Sequence, residues 1–177
     1  MSENGNNSAL QAIFTRRSIR RYTGETIPEE TMLQILTAGF CAPSAHNFRP
    51  WEFILVRDKE HLAAIAEHGK YMKMVPHCDT AVIVCGDTAK QEIHDLLIND
   101  CSAATENILL AAHALGLGAV WCGVVHPEQI SFFRQDLKLP EHIVPAALIA
   151  IGYPGEERSA PERFDGSRIH EERFGSK

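Results

Sequence analysis

The sequence has no long apolar run, no closely paired cysteines and no surplus of positive charge. None of its segments approaches ~18 consecutive apolar residues, so we expect no membrane-spanning helix. The five cysteines are odd in number and include no CxxC pair, which predicts reduced thiols rather than a disulfide framework or a zinc site. Lys and Arg total 17 against 23 Asp and Glu, a net charge of −6 that disfavours nucleic acid as the main partner. The first residues lack the features of a secretory signal, so we expect a cytoplasmic protein.

The length and composition are those of one globular domain. The chain has 177 residues, 45% of them hydrophobic, which is enough for a single core. We therefore expect one domain over residues 1–177. Residues 156–177 differ in character, because 11 of these 22 residues are charged. This segment is either a solvated tail or an arm that wraps a partner subunit, with Ile169 and Phe174 as its anchors.

Hydrophobic periodicity predicts helices alternating with strands. The predicted strands cover residues 51–56, 80–86, 119–125 and 145–153. The predicted helices cover 8–17, a segment opened by Pro28, 58–68, 90–117 and 127–138. The half of the long helix from Ala103 to Leu115 is apolar almost all round, which predicts burial on most faces and packing against a second copy. This order predicts a mixed sheet flanked by helices.

A basic segment follows the first predicted helix. Residues 16–21 read RRSIRR and concentrate four guanidinium groups. In an extended stretch alternate side chains share a face, so Arg16, Ser18 and Arg20 point the same way. Such a face can hold a phosphate, because guanidinium groups bind anions bidentately. The alternatives are ordinary solvated surface and a nucleic-acid patch, and the second lacks the aromatic side chains that such patches carry.

A second polar segment lies between a predicted helix and a predicted strand. Residues 43–51 read PSAHNFRPW, in which two prolines stiffen the backbone and Ser44 and Asn47 offer hydrogen-bonding groups. A stiff loop of this kind can hold the edge of a planar ligand, and ordinary turn chemistry is the alternative. His46 is either a proton relay or a solvent-facing turn residue.

Together, the order and spacing of these segments resemble the nitroreductase family of FMN-dependent oxidoreductases, from about residue 10 to about residue 170. Supporting matches are Asp100, Asn107, the LGLG at 115–118, the IGYP at 151–154 and Arg163. The chain departs from many members at Arg49 and Glu106, where they carry Gln. It is also short for the family, so the resemblance implies a reduced lid over the substrate side.

The resemblance implies an α+β fold with three layers, α/β/α, around a central mixed, mainly antiparallel sheet. It further implies an intertwined homodimer with FMN bound at the interface. The residues expected to face FMN from one subunit are Arg16, Arg17 (through its backbone), Ser18, Arg20, Trp121, Cys122, Gly123 and Arg163. Those expected to approach the same flavin from the partner subunit are Pro43, Ser44 and Asn47. No catalytic side chain and no metal are expected, because the cofactor carries the chemistry.

The implied reaction is hydride transfer from NADH or NADPH to flavin N5, followed by ping-pong reduction of a nitroaromatic, quinone or similar acceptor. Three alternatives stay open: a flavin storage or sensing protein, a reductive dehalogenase or flavin-cleaving relative, and a colourless helix-rich interaction module.

Among single residues, Cys122 is either a redox thiol or a packed core thiol. Lys70 and Lys73 either border the site or are plain surface lysines, while Trp51, Met72 and Met74 are expected to pack.

Overall fold

A four-stranded antiparallel sheet forms the middle layer of the computed structural model, which describes residues 8–69 and 71–176. Its strand order is β1-β2-β4-β3, so β1 and β3 are the two edges. The strands are β1 (Trp51–Val56), β2 (Thr80–Asp87), β3 (Gly118–Gly123) and β4 (Ile143–Gly152). The helices are α1 (Ser8–Thr15), α2 (Glu29–Phe40), α3 (Lys59–His68), α4 (His94–Ala114) and α5 (Pro127–Asp136).

Two hydrophobic cores lie on the two faces of the sheet, because successive strand residues point to opposite sides. Val82 and Val84 join the core that α2 and α4 cover. Ile83 joins the other core, which α3 and α5 cover with Leu62 and Phe133. The predicted α/β/α layering with a mainly antiparallel sheet is therefore confirmed.

The central helix α4 is the most enclosed helix of the fold. No residue from Cys101 to His113 is exposed. Some residues within this stretch, such as Ala103 and Ala111, are half-buried. The predicted burial on most faces is confirmed. Within the described ranges, no helix combines the length and hydrophobicity that a membrane crossing needs.

The predicted bounds of the strands and helices agree with the structure to within a few residues. The two largest differences in the helices have local causes. The first helix ends at Thr15 rather than at residue 17, because Ser18 leaves the helix to bridge Ala119 in parallel. The long helix begins at His94 rather than at residue 90, because the backbone N–H groups of Lys90 and Gln91 turn back to the carbonyl of Asp87.

The prediction of a buried strand at residues 51–56 is only partly correct. β1 lies at the edge of the sheet, and only its ends, Trp51 and Val56, are buried. Trp51 is in the core, as predicted. An edge strand has one open side, which an apolar run in the sequence does not reveal.

Candidate functional site

The segment that carries the arginines runs beside β3. The N–H of Ile19 donates to the carbonyl of Ala119 at 3.0 Å, and Ser18 forms an isolated parallel bridge to the same residue. This contact is the parallel component of the otherwise antiparallel sheet. It places residues 18–20 beside the open edge of β3, whereas the N–H of Arg16 still donates to the carbonyl of Ala12 in the pattern of α1.

The three arginines of this segment have different environments. Arg16 is half-buried, and its Nε lies 3.5 Å from Oε1 of Glu106 on α4. Arg20 is exposed and faces a groove beside β3. Arg17 is turned away and donates to backbone oxygens: Nε to Ser159 at 3.1 Å, Nη2 to Phe14 at 2.9 Å, and Nη1 to Arg16. Its side chain therefore binds the chain itself, whereas the guanidinium groups of Arg16 and Arg20 retain donors that no described residue accepts.

The groove beside β3 is a cavity of about 570 Å³ with aromatic walls and positive charge. Its lining residues are Arg20, Tyr71, Lys73, Met74, Val120, Trp121, Cys122 and Gly123. Tyr71 is 67% exposed and Trp121 is 37% exposed, so both offer ring surface to a planar ligand. Lys70 lies outside the described residues, whereas Met72 is buried, as predicted, and Met74 packs against the same core.

The backbone of β3 presents hydrogen-bonding groups at its open edge. The carbonyl of Ala119 faces Ile19, and the N–H of Val124 reaches back to Ala146 on β4 at 3.2 Å. Because backbone groups alternate in direction along a strand, those of Trp121 and Gly123 point to the open edge and those of Cys122 point to β4. A Cβ added at Gly123 would meet only Val125, at 3.7 Å, so this surface is open.

The side chain of Cys122 is buried below the groove. Burial raises the pKa of its thiol to about 11, although nearby Arg20 opposes this. Its Sγ donates to the carbonyl of Tyr71 at 3.6 Å. A neutral, packed thiol of this kind favours a structural role over a redox role.

The segment from Pro43 to Arg49 is a strained loop that leads into β1. His46, Asn47 and Arg49 have φ values of 52°, 57° and 49°, in the left-handed region that non-glycine residues rarely adopt. Ser44 supports this shape, since its Oγ accepts the N–H of Arg49 at 2.9 Å and its carbonyl accepts that of Asn47 at 3.0 Å. Pro43, His46 and Asn47 are exposed.

A buried carboxylate holds this loop against α4. Oδ1 of Asp100 accepts the backbone N–H of Ala45 at 2.9 Å, and its Oδ2 is buried without a hydrogen-bond partner in the described structure. A carboxylate with one unused buried oxygen is costly, and its hydrogen bond to the loop offsets part of this cost. The sequence singled out Asp100 only as part of a motif, because the contact joins residues 55 positions apart.

Replacing Asp100 by alanine is expected to release the loop with little change in the two cores. The N–H of Ala45 then loses its carboxylate acceptor, and a hydrogen bond to a charged group contributes about 1.5–3 kcal/mol. We expect faster amide hydrogen exchange across residues 44–49 and unchanged exchange in β2 and β4. Asp100→Asn retains an acceptor oxygen and is the matched control, with exchange near that of the wild type. Equal protection of the loop in wild type and Asp100→Ala would contradict this assignment.

The two predicted halves of the site lie at opposite edges of the sheet. Residues 16–20 flank β3, whereas the Pro43–Arg49 loop leads into β1, and β2 and β4 intervene. Three interstrand spacings amount to about 14 Å. One chain therefore does not bring Pro43, Ser44 and Asn47 to Arg16 and Arg20.

The C-terminal segment is attached at its beginning and exposed beyond it. The N–H of Gly155 donates to the carbonyl of Arg21 at 2.8 Å, and Tyr22 bridges Pro154. Arg163 is exposed. Ile169 and Phe174 are exposed, as is Phe164, a third apolar residue of this segment.

Comparisons with known proteins agree on one family. The sequence model of the Nitroreductase family matches residues 13–70 and 69–153. A protein of Methanothermobacter thermautotrophicus, provisionally named NADH dehydrogenase/NAD(P)H nitroreductase, is 46% identical over 93% of this chain and 87% of its own length.

Solved structures extend this similarity to the fold. The crystal structure of a protein from Parabacteroides distasonis with the same provisional name has a TM-score of 0.92 and 38% identity, covering 96% of this chain and 100% of its own. A provisionally named nitroreductase from Desulfovibrio desulfuricans, crystallised in complex with FMN, has a TM-score of 0.84 and 36% identity, covering 96% and 99%.

Proposed function

The chain belongs to the nitroreductase family, and from this membership we propose that it is an FMN-dependent oxidoreductase with NADH or NADPH as electron donor. Relatives are named NAD(P)H nitroreductase and FMN reductase, and one related structure holds FMN. In this proposal residues 1–177 form a single FMN-binding domain, with 156–177 as an arm that contributes to the partner subunit or to the flavin site.

The groove beside β3 is the observation that carries the proposal, because its chemistry fits FMN. FMN has a phosphate of nearly two negative charges, and a protein of net charge −6 needs local cations to hold it. Arg16 and Arg20 provide such cations, the first half-buried beside Glu106 and the second exposed at the groove. The open surface at Gly123 and the exposed rings of Tyr71 and Trp121 suit a flat ring system.

Each group in this arrangement has a distinct role. When bound, FMN supplies the chemistry of hydride acceptance and electron transfer. Arg16, Ser18 and Arg20 would hold its phosphate, ribityl chain and pyrimidine edge, and Arg20 would stabilise negative charge at that edge. The backbone groups of Trp121 and Gly123 would orient the ring and Cys122 would pack against it, while Arg17 fixes the segment. No side chain is required as general acid, base or nucleophile.

We further propose that the site is completed in a homodimer, in which Pro43, Ser44 and Asn47 of the partner subunit reach the same flavin. The opposite placement of the two half-sites supports this arrangement. It is also supported by apolar side chains that one chain leaves exposed on α1, on α2 and in the arm, namely Ile13, Phe14, Leu33, Phe40, Phe164, Ile169 and Phe174. In that dimer Arg163 closes on the phosphate.

The acceptors we propose are nitroaromatic compounds, quinones and similar planar oxidants, reduced by a ping-pong mechanism. The link from β2 to α4 is short, at residues 88–93, which supports the reduced lid that the resemblance implies. Free thiols at all five cysteines fit a reducing compartment, and we propose a cytoplasmic location.

The experiment that tests this function is anaerobic reduction of the purified protein. We expect a yellow protein whose flavin spectrum bleaches with NADH or NADPH and returns when a quinone is added. A yellow protein that neither donor bleaches would favour the storage or sensing alternative. A colourless protein that does not take up added FMN would refute the proposal.

A further inference from the structure

We propose that Glu156 and Arg17 form a clasp that fixes the start of the C-terminal arm to the arginine segment, and that this clasp positions Arg20 for FMN. Both are positioning residues, since neither is assigned a contact with the reacting atoms. The FMN part of the inference rests on the proposed function, whereas the attachment of the arm does not.

Glu156 connects the arm to the backbone of the arginine segment. Its Oε1 accepts the N–H of Arg20 at 2.7 Å, and its Oε2 pairs with Nη2 of Arg158 at 3.1 Å. Its side chain is only 14% exposed. The hydrogen bond from the Arg20 backbone is the main reason why the pKa of this carboxyl is held below its usual value. The carboxylate is therefore charged at neutral pH and occupied on both oxygens.

Arg17 makes the reverse connection, from the arginine segment to the arm. Its guanidinium group spans the carbonyl of Phe14 on one side and the carbonyl of Ser159 on the other. Arginine suits this bridge because its planar donors are fixed in direction. The first arm residues are thus held at Glu156 and at Ser159, and the backbone pair of Gly155 with Arg21 adds a third link.

The clasp affects the groove because Glu156 holds the backbone N–H of Arg20, whose side chain lines the groove. Arg20 is one of two exposed cations of the groove, with Lys73, and rotation of its backbone would move its guanidinium group. The same clasp sets the direction in which the arm leaves, and the arm carries Arg163 and Phe164. Arm docking and FMN binding then share one structural unit, so each should strengthen the other by the same factor.

The first test compares FMN release from three full-length variants. Glu156→Ala removes both carboxylate contacts, Glu156→Gln retains an acceptor oxygen for the Arg20 N–H, and Glu157→Ala alters an exposed neighbouring acid as control. We expect Glu156→Ala to weaken FMN binding roughly tenfold by fluorescence titration, with Glu156→Gln restoring most of it. Affinity equal to that of Glu157→Ala would overturn the positioning role.

The second test measures the arm without reference to flavin. Trypsin cleaves after Arg163, Arg168 and Arg173, which all lie in the exposed arm. We expect faster arm cleavage in Glu156→Ala and in Arg17→Met than in the controls Glu157→Ala and Arg21→Met. Equal cleavage rates would overturn the clasp. A wild-type protein that binds no FMN would instead overturn the proposed function, and the trypsin comparison would still decide the clasp.

Discussion

Replacing Arg20 by methionine is expected to weaken FMN binding about a hundredfold, which corresponds to the ~2.7 kcal/mol of a good charge-assisted hydrogen bond. Methionine keeps an unbranched apolar stem, so packing along the groove changes little. Arg20 is exposed and its guanidinium group has no acceptor among the described residues, so its removal breaks no internal contact. The loss therefore falls on ligand binding, which equilibrium titration with FMN measures directly.

Two matched variants make this prediction specific. Arg21→Met removes the same charge from the opposite face of the same extended segment, and we expect a change of less than about threefold, from long-range charge alone. Glu106→Gln removes the carboxylate beside Arg16 and should tighten binding a few-fold, because the phosphate then meets a more positive site. Equal losses from Arg20→Met and Arg21→Met would show that only net charge matters and that the groove is not the site.

The thermal stability of these variants separates binding from folding. Apo Arg20→Met is expected to melt within about 1–2 °C of apo wild type, because exposed charges contribute little to stability. A large drop in melting temperature would mean that the side chain supports the fold and would remove the argument for a ligand.

The element pattern was predictable because it depends on local periodicity. Ile83 and Val84 diverge to opposite cores as an alternating strand requires, and the enclosure of α4 follows from its apolar composition. These features can be predicted without knowing which distant segments of the chain pack against each element.

The clasp and the loop support could not be predicted, because they depend on contacts between distant positions. Arg17 and Ser159 are 142 residues apart, and Glu156 reaches Arg20 over 136. Nothing in the local sequence distinguishes Arg17, which binds backbone carbonyls, from the other three arginines of residues 16–21. The left-handed geometry of His46 and Arg49 was also invisible, since neither residue type announces a positive φ as glycine does.

Mixing two defective subunits is expected to restore FMN binding if the site is shared. Arg16→Met/Arg20→Met damages the half-site beside β3, and Ser44→Ala/Asn47→Gly damages the loop half-site. Glycine is chosen at position 47 because the φ of 57° suits it without strain. Each variant alone should bind FMN at least about a hundredfold more weakly than wild type, since every site in its homodimer lacks one half.

In a heterodimer of these two variants the defects are distributed unequally between the two sites. One site combines both damaged halves, whereas the other combines the intact arginine segment of one subunit with the intact loop of its partner. Co-expression with two different tags and purification through both should yield heterodimers with about half of the flavin that wild type holds. A site contained within one chain would give no recovery, because each subunit would keep its own defect. The same preparation tests the dimer: if no doubly tagged species forms, the shared site is refuted, since the two edges of a single sheet do not approach one another.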